Sequence, residues 1–147
     1  MPEPGGLSEP AGRLQAIASA LSIGGLQRHI FICVPQSNPR CCSYEEGQRA
    51  WKQLKRATKS LDLASPPPGW RGDPSQPPGK YEVGSGTVLR SKVDCLRICE
   101  QGPIAVVYPD GIWYYSVSGE VLDQIIHEHL VGGRVVEEYA FALDPLR

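Results

Sequence analysis

Apolar residues along this chain occur either in short continuous runs or in stripes spaced three and four residues apart. Runs rich in β-branched and aromatic residues favour strands, and four occur, at 29–34, 87–90, 104–108 and 112–117. The run at 104–108 is almost entirely apolar, which is typical of a strand buried on both faces. Asp110-Gly111 follows it and is a strong turn signal, so the third and fourth strands are predicted to form a hairpin.

The spaced stripes predict amphipathic helices. The first helix is short and ends before Gly24-Gly25, and its apolar positions are Leu14, Ile17, Ala18 and Leu21. The second is expected to cover 45–61. It follows Ser43, a favourable N-cap residue, and two glutamates lie in its first turn, where they stabilise the positive end of the helix.

A third helix is predicted between Ser118, another candidate N-cap, and Gly132-Gly133. We expect the segment 135–142, which is mixed apolar and acidic, to be extended. Two strands joined by a helix, then a hairpin and a second helix, indicate an α/β domain. The sheet is expected to be mixed and about four-stranded, with flanking helices.

Two segments lie outside this pattern. Residues 1–26 form an N-terminal extension, whose first 13 residues contain Pro, Gly and Glu and are predicted to be disordered or loosely held. The segment 64–80 has six prolines and three glycines and indicates an inserted loop within the main domain, 27–147. Trp70 inside this insertion is expected to be a packing anchor.

Composition excludes several classes of protein. The formal net charge of −1 and the pI near 6.3 provide no basic footprint for nucleic acid. No apolar run reaches the roughly 18 residues that a membrane span requires, and no signal segment is recognisable, so we predict a cytoplasmic location. One face of the second helix is basic. It is interpreted as a solvated surface, although it could also steer an acidic redox partner, and its residues are Lys52, Lys55, Arg56 and Lys59.

The five cysteines are the candidate functional residues. In a reducing compartment cysteines are more often metal ligands, redox thiols or core residues than disulfides. They lie at Cys33 after the first strand, in the doublet Cys41-Cys42 before the second helix, and at Cys95 and Cys99 before the hairpin. The last two are four residues apart, so on one helical turn their thiolates would project from the same face toward a single centre.

Four thiolate positions suffice for either a zinc ion or a [2Fe-2S] cluster. Zinc sites usually combine two tight pairs, whereas eight residues separate Cys33 from Cys42. The wider span better suits a two-iron cluster. His127 and His129 belong to no metal-binding pattern and are predicted to be surface or boundary residues.

The chain closely resembles the thioredoxin-like [2Fe-2S] ferredoxins over 29–46 and 87–137. The motifs that carry the resemblance are HIFIC ending at Cys33, the proline-containing loop into Cys42, the CLRIC pair, GPIAVVYPDGIWY, and the helix ending HLVGG. Together they are far more specific than any single cysteine spacing. The resemblance implies a thioredoxin-like fold and a small electron carrier that transforms no substrate and is therefore not an enzyme.

The resemblance also implies four cluster ligands. Cys33, Cys95 and Cys99 carry over directly, and Cys42 carries over as the cysteine before the helix, leaving Cys41 as the spare thiol. The loop between Cys33 and Cys42 is several residues shorter than is usual in the family. The spare position is therefore a prediction specific to this chain.

Three further expectations follow. The partners are expected to be redox proteins that donate and accept single electrons. Alternatives are a module that senses oxidation through the cluster or the spare thiol, and a subunit of an NADH-linked or hydrogenase complex, for which the N-terminal extension is too short. A homodimer is expected from the resemblance and from Trp113, Tyr114 and Tyr115, if their strand lies at a sheet edge.

Overall fold

A computed structural model describes residues 9–66 and 83–146. Three α-helices and five strands occur in these ranges, together with one π-helical and one 3₁₀ segment. In chain order they are α1 (Glu9–Ala20), β1 (Arg28–Ile32), α2 (Tyr44–Ser60), β2 (Val88–Lys92), β3 (Ala105–Tyr108), β4 (Ile112–Tyr114), α3 (Gly119–Gln124), a π-helix (Ile125–Val131), a 3₁₀ turn (Glu137–Tyr139) and β5 (Ala140–Leu143). None of the helices in these ranges is long and apolar enough to cross a bilayer.

The five strands form one mixed sheet in the order β2-β1-β3-β4-β5. β1 and β2 are parallel, and every other neighbouring pair is antiparallel. The predicted mixed α/β architecture is confirmed. The sheet has one strand more than the four predicted runs, because the end of the segment 135–142, predicted to be extended, pairs with β4 as β5. This strand carries only a weak pattern of its own, since most of its side chains are exposed.

The strand β4 therefore lies inside the sheet, and the two edge strands of the sheet are β2 and β5. The expectation that Trp113–Tyr115 lies at an edge is wrong for this reason. Tyr114 is fully buried in the main core, and Trp113 is half-buried. The exposed apolar side chains of the β5 edge are instead Phe141 and Leu143.

The helix α2 crosses from the end of β1 back to the start of β2. The amide of Glu46 donates a hydrogen bond of 3.1 Å to Ser43 Oγ, which confirms the predicted N-cap. Ala50 and Leu54 are buried in the main core, and Trp51 packs at its margin. This face anchors the helix on the sheet, and the opposite face carries its lysines and arginines.

The third helix differs from the prediction in two ways. Ser118 precedes it but makes no side-chain capping hydrogen bond, and only Gly119–Gln124 is α-helical before the backbone continues as a π-helix. The wider π-helical turn places His129 in the core, where none of its surface is exposed. The prediction of a surface or boundary residue is confirmed for the exposed His127 and wrong for His129.

A buried chain of hydrogen bonds joins the hairpin turn to this helix. The amide of Val136 donates to Tyr114 Oη at 3.1 Å, and Tyr114 Oη lies 2.8 Å from His129 Nδ1. His129 Nε2 lies 2.6 Å from Asp110 Oδ2, which also accepts from Arg28 Nε at 2.9 Å. Since an ionised carboxylate can only accept, Nε2 carries the proton and Nδ1 accepts from the tyrosine.

The pKa shifts of His129 and Asp110 agree with that assignment. Burial lowers the pKa of His129, although Asp110 opposes the shift, so the neutral imidazole is favoured. Burial raises the pKa of the Asp110 carboxyl, but hydrogen bonds from Arg28 and His129 outweigh it, and the net shift is downward. The aspartate of the hairpin turn is thus held ionised against a neutral histidine.

Some sequence predictions fall outside the described ranges. Trp70 and most of the insertion 64–80 lie there, as do residues 1–8. Within the described ranges, α1 begins at Glu9, so the expectation of a disordered or loosely held segment fails for residues 9–13. The predicted first helix is otherwise confirmed.

We predict that Tyr114→Phe lowers the free energy of unfolding by roughly 1–2 kcal/mol, because the buried Val136 amide and His129 Nδ1 each lose a partner. Tyr115→Phe is the matched control, since its hydroxyl makes one exposed hydrogen bond, to the Glu138 carbonyl at 3.3 Å. It should cost less than about 0.5 kcal/mol. Urea denaturation followed by circular dichroism measures both, and equal losses would contradict a special role for the buried chain.

Candidate metal centre

The five cysteines lie on two loops that leave the same end of the sheet, the end at which β1 and β2 terminate. Because β1 and β2 are parallel, their carboxyl ends lie side by side, and Cys33 follows β1 directly. Cys95 and Cys99 lie on the loop after β2. All five cysteines are free thiols. Cys33 is buried and Cys95 is exposed, while the other three are partly buried.

Cys33 is held where β1 meets the start of β3. Its amide donates to the Ile104 carbonyl at 3.0 Å, and its sulfur accepts a hydrogen bond of 3.2 Å from the Ile104 amide. The sulfur also lies 3.4 Å from the sulfur of Cys41. Burial raises the pKa of the Cys33 thiol to about 12, the Ile104 amide opposes this, and the neighbouring cysteines add to it.

A buried glutamine organises the loop between β1 and α2. Gln36 is only 5% exposed, and its Oε1 accepts hydrogen bonds from the amides of Arg40 and Cys41 at 3.0 and 3.4 Å. The Cys41 thiol lies 3.5 Å from the same oxygen. Sequence reasoning missed Gln36, and a glutamine beside Pro35 in a short loop gave no local signal of burial.

The two cysteines of the doublet lie in different surroundings. Cys41 packs against Gly102, whose amide donates to the Cys41 carbonyl at 2.9 Å and where any Cβ would overlap the Cys41 side chain. Cys42 lies nearer α2. Burial raises the pKa of the Cys42 thiol to about 12, with further contributions from Cys41 and Glu46, and a hydrogen bond from the Gly47 amide opposes the rise.

The prediction that Cys95 and Cys99 share a helical turn is wrong. The segment between them is a loop in which Arg97 has a left-handed φ of 71°, a conformation that does not continue a right-handed helix. The amide of Arg97 donates a hydrogen bond of 3.2 Å to Cys95 Sγ. This turn presents an amide to the sulfur, which a regular helix would not do.

Comparison with known proteins gives a consistent answer. No family model matches the chain. A 2Fe-2S ferredoxin of Aquifex aeolicus (strain VF5) is 30% identical over 110 residues, which cover 75% of this chain and 85% of that protein. The chain therefore belongs to the thioredoxin-like [2Fe-2S] ferredoxin family.

Other relatives agree with this membership. A 2Fe-2S ferredoxin of Clostridium pasteurianum is 42% identical over 53 residues, covering 36% of this chain and 52% of that protein. A solved structure of a thioredoxin-like [2Fe-2S] ferredoxin from Aquifex aeolicus superposes with a TM-score of 0.55 at 25% identity, covering 80% of this chain and 93% of that one. The thioredoxin-like fold expected from the sequence is thus confirmed.

The donor set of this ferredoxin suits an iron–sulfur cluster. Cys33 and Cys95, one on each loop, already accept a backbone N–H bond at sulfur, an arrangement that stabilises negative charge on a thiolate. No group of three or more Cys, His, Asp or Glu within the described ranges is preassembled to hold a metal. The sulfurs of Cys33 and Cys41 are in contact, and Cys42, Cys95 and Cys99 are the further thiols that would hold a cluster.

Proposed function

We propose that this ferredoxin carries single electrons by means of a [2Fe-2S] cluster held by Cys33, Cys42, Cys95 and Cys99. The observation that carries the proposal is the parallel pairing of β1 and β2, which directs both cysteine loops to one end of the sheet. The thiols on these two loops are the candidate ligands. The protein therefore acts by electron transfer to redox proteins and transforms no substrate.

The cluster, when bound, supplies a site that accepts and releases one electron. The chain's own contribution is electrostatic. The amides of Ile104 and Arg97 donate to the sulfurs of Cys33 and Cys95, and such donors favour the more electron-rich, reduced state. Because Cys95 is exposed while Cys33 is buried, the side of the site formed by the Cys95 loop is the closest to solvent and to a partner.

The solved relatives contain a cysteine pair with the spacing of the second pair in this chain. Two structures of the Aquifex aeolicus protein are variants in which one or the other of two cysteines, four positions apart, is replaced by serine. Cys95 and Cys99 have the same spacing here.

Thiolate ligands must be kept free of disulfides, and we accordingly propose a reducing, cytoplasmic location.

The proposal predicts a brown protein that holds about two irons and two sulfides per chain and bleaches when reduced. Iron and sulfide analysis and visible spectroscopy on protein purified without oxygen provide the test. Zinc analysis of the same sample is the control. One zinc and no iron would show that the four thiolates form a zinc site instead.

The doublet gives a sharper prediction. Cys42 adjoins the amino-terminal end of α2 and accepts a hydrogen bond from the Gly47 amide, and both features favour Cys42 as the thiolate ligand. The contact between the sulfurs of Cys41 and Cys33 favours Cys41 instead. We expect Cys42→Ser to lose the cluster or shift its visible spectrum markedly. Cys41→Ser should retain wild-type iron content and potential, and the reverse result would move the ligand by one residue.

We also propose that the protein forms a homodimer through the edge strand β5. Phe141 is 43% exposed and Leu143 is 69% exposed, on a strand whose outer side has no partner within the chain's described residues. An unpaired edge with exposed apolar side chains is a surface that pairing with a second copy would cover.

The dimer proposal predicts a mass of two chains in sedimentation at about 50 µM, a concentration at which a micromolar complex is largely assembled. Leu143→Lys should yield the monomer, because it places a charge within the apolar edge. Val131→Lys is the control, since Val131 is also exposed, at 54%, but lies on the π-helix. A monomeric wild type, or dissociation by both variants, would contradict the β5 interface.

A further inference from the structure

A wide basic groove lies between α2 and the edge strand β2. Its volume is about 760 Å³, and five cationic side chains line it together with one acidic side chain, Asp62. We call this surface the basic groove, and its cations are Lys52, Lys55, Arg56, Lys59 and Arg90. A second depression of about 500 Å³ continues around the helix and has Arg49, Lys52 and Arg56 but no acidic residue in its lining.

The five cations of the basic groove outnumber its single carboxylate, Asp62. None of the five forms an ion pair with another residue in the described ranges. The chain as a whole has a net charge of −1. Positive charge is therefore concentrated on one face of a nearly neutral protein, which creates a local field that attracts anions.

One cation of the groove, Arg90, has a buried hydrogen-bond donor without an acceptor. Arg90 Nε is the buried side-chain polar atom that has no hydrogen-bond partner among residues 9–66 and 83–146. Burial lowers the pKa of Arg90, and its guanidinium carbon lies 5.9 Å from the centre of the Trp51 ring. Lys92 Nζ lies at the same distance from that ring. A buried N–H without an acceptor is unfavourable, and the Trp51 ring beside the guanidinium offsets part of that cost.

The basic groove and the metal centre are connected by two shared elements, α2 and β2. The helix α2 begins two residues after Cys42, and β2 ends at Lys92, three residues before Cys95. At about 1.5 Å per helical residue, Lys52 lies roughly 15 Å along the chain's path from Cys42. Lys52, Arg56 and Lys59 then follow one another at helical spacing and form a row along the exposed face.

We propose that the basic groove is the docking surface for the acidic face of a redox partner protein. This inference rests on the proposed function, because it is the nearby cluster that gives such docking a purpose. A row of cations along a helix matches a row of carboxylates on another protein better than one compact anion. Carboxylates seated there would neutralise the row and hold the partner against the helix that begins at the first cysteine loop.

The test uses cluster-loaded protein and a fluorescein-labelled peptide of about 20 glutamates as the acidic probe. Arg56→Glu and Arg134→Glu are matched variants, since both arginines are exposed and each substitution changes the net charge equally. In fluorescence anisotropy at about 20 mM salt we expect Arg56→Glu to weaken binding about fivefold or more and Arg134→Glu by less than about twofold. Binding should also weaken as salt is raised.

A second readout connects docking to electron transfer. The peptide should slow oxidation of the reduced wild type by ferricyanide, a trianion attracted to the same surface, and should slow the Arg56→Glu variant much less. Equal loss of peptide binding in both variants would overturn the proposal. Displacement of the peptide by micromolar pyrophosphate would also overturn it, because the groove would then be a small-anion pocket.

The experiment separates this proposal from the proposed function. Iron content and visible absorbance are measured first for each variant, and the groove contains no cysteine, so they should stay at the wild-type values. A wild type without iron would refute the electron-carrier function, whereas peptide binding remains measurable on that protein. Normal absorbance combined with unchanged peptide binding in Arg56→Glu would refute the docking surface alone.

Discussion

The parallel pairing of β1 with β2 is the constraint on which the candidate site depends. Parallel strands need a crossover, and α2 provides it, so the carboxyl ends of both strands reach the same end of the sheet. The first cysteine loop leaves β1 at that end and the second leaves β2. If the same two strands were antiparallel, the two loops would lie at opposite ends of the sheet. The thiols would then be separated by the length of a strand.

Backbone amides donate hydrogen bonds to two of the candidate ligand sulfurs. β3 begins beside the end of β1, and the Ile104 amide bonds the Cys33 sulfur, while a left-handed residue at Arg97 turns its amide toward Cys95. Burial and neighbouring thiols oppose ionisation of Cys33 and Cys42. A bound cluster would favour the deprotonated thiols, and the amides that donate to these sulfurs would stabilise the thiolates.

The hairpin that supplies β3 is itself anchored from the opposite side of the fold. Asp110 in its turn accepts hydrogen bonds from Arg28 on β1 and from His129 on the π-helix, and Tyr114 extends the chain of bonds to Val136. This chain fixes the hairpin relative to β1, and thereby fixes Ile104 relative to Cys33. The basic face of α2 lies outside these contacts.

The sequence by itself determined those features that depend on nearby residues. These include the Ser43 cap, the Asp110-Gly111 turn, the buried strand β3 and the cysteines on the connecting loops, since caps, turns and periodicity operate over a few positions. The tertiary structure decided the pairing of β5, the burial of His129 and Gln36, the loop geometry at Arg97 and the unpartnered Nε of Arg90. Their partners lie far along the chain, as with Ile104 and Cys33, which are 71 positions apart, so no local pattern could record them.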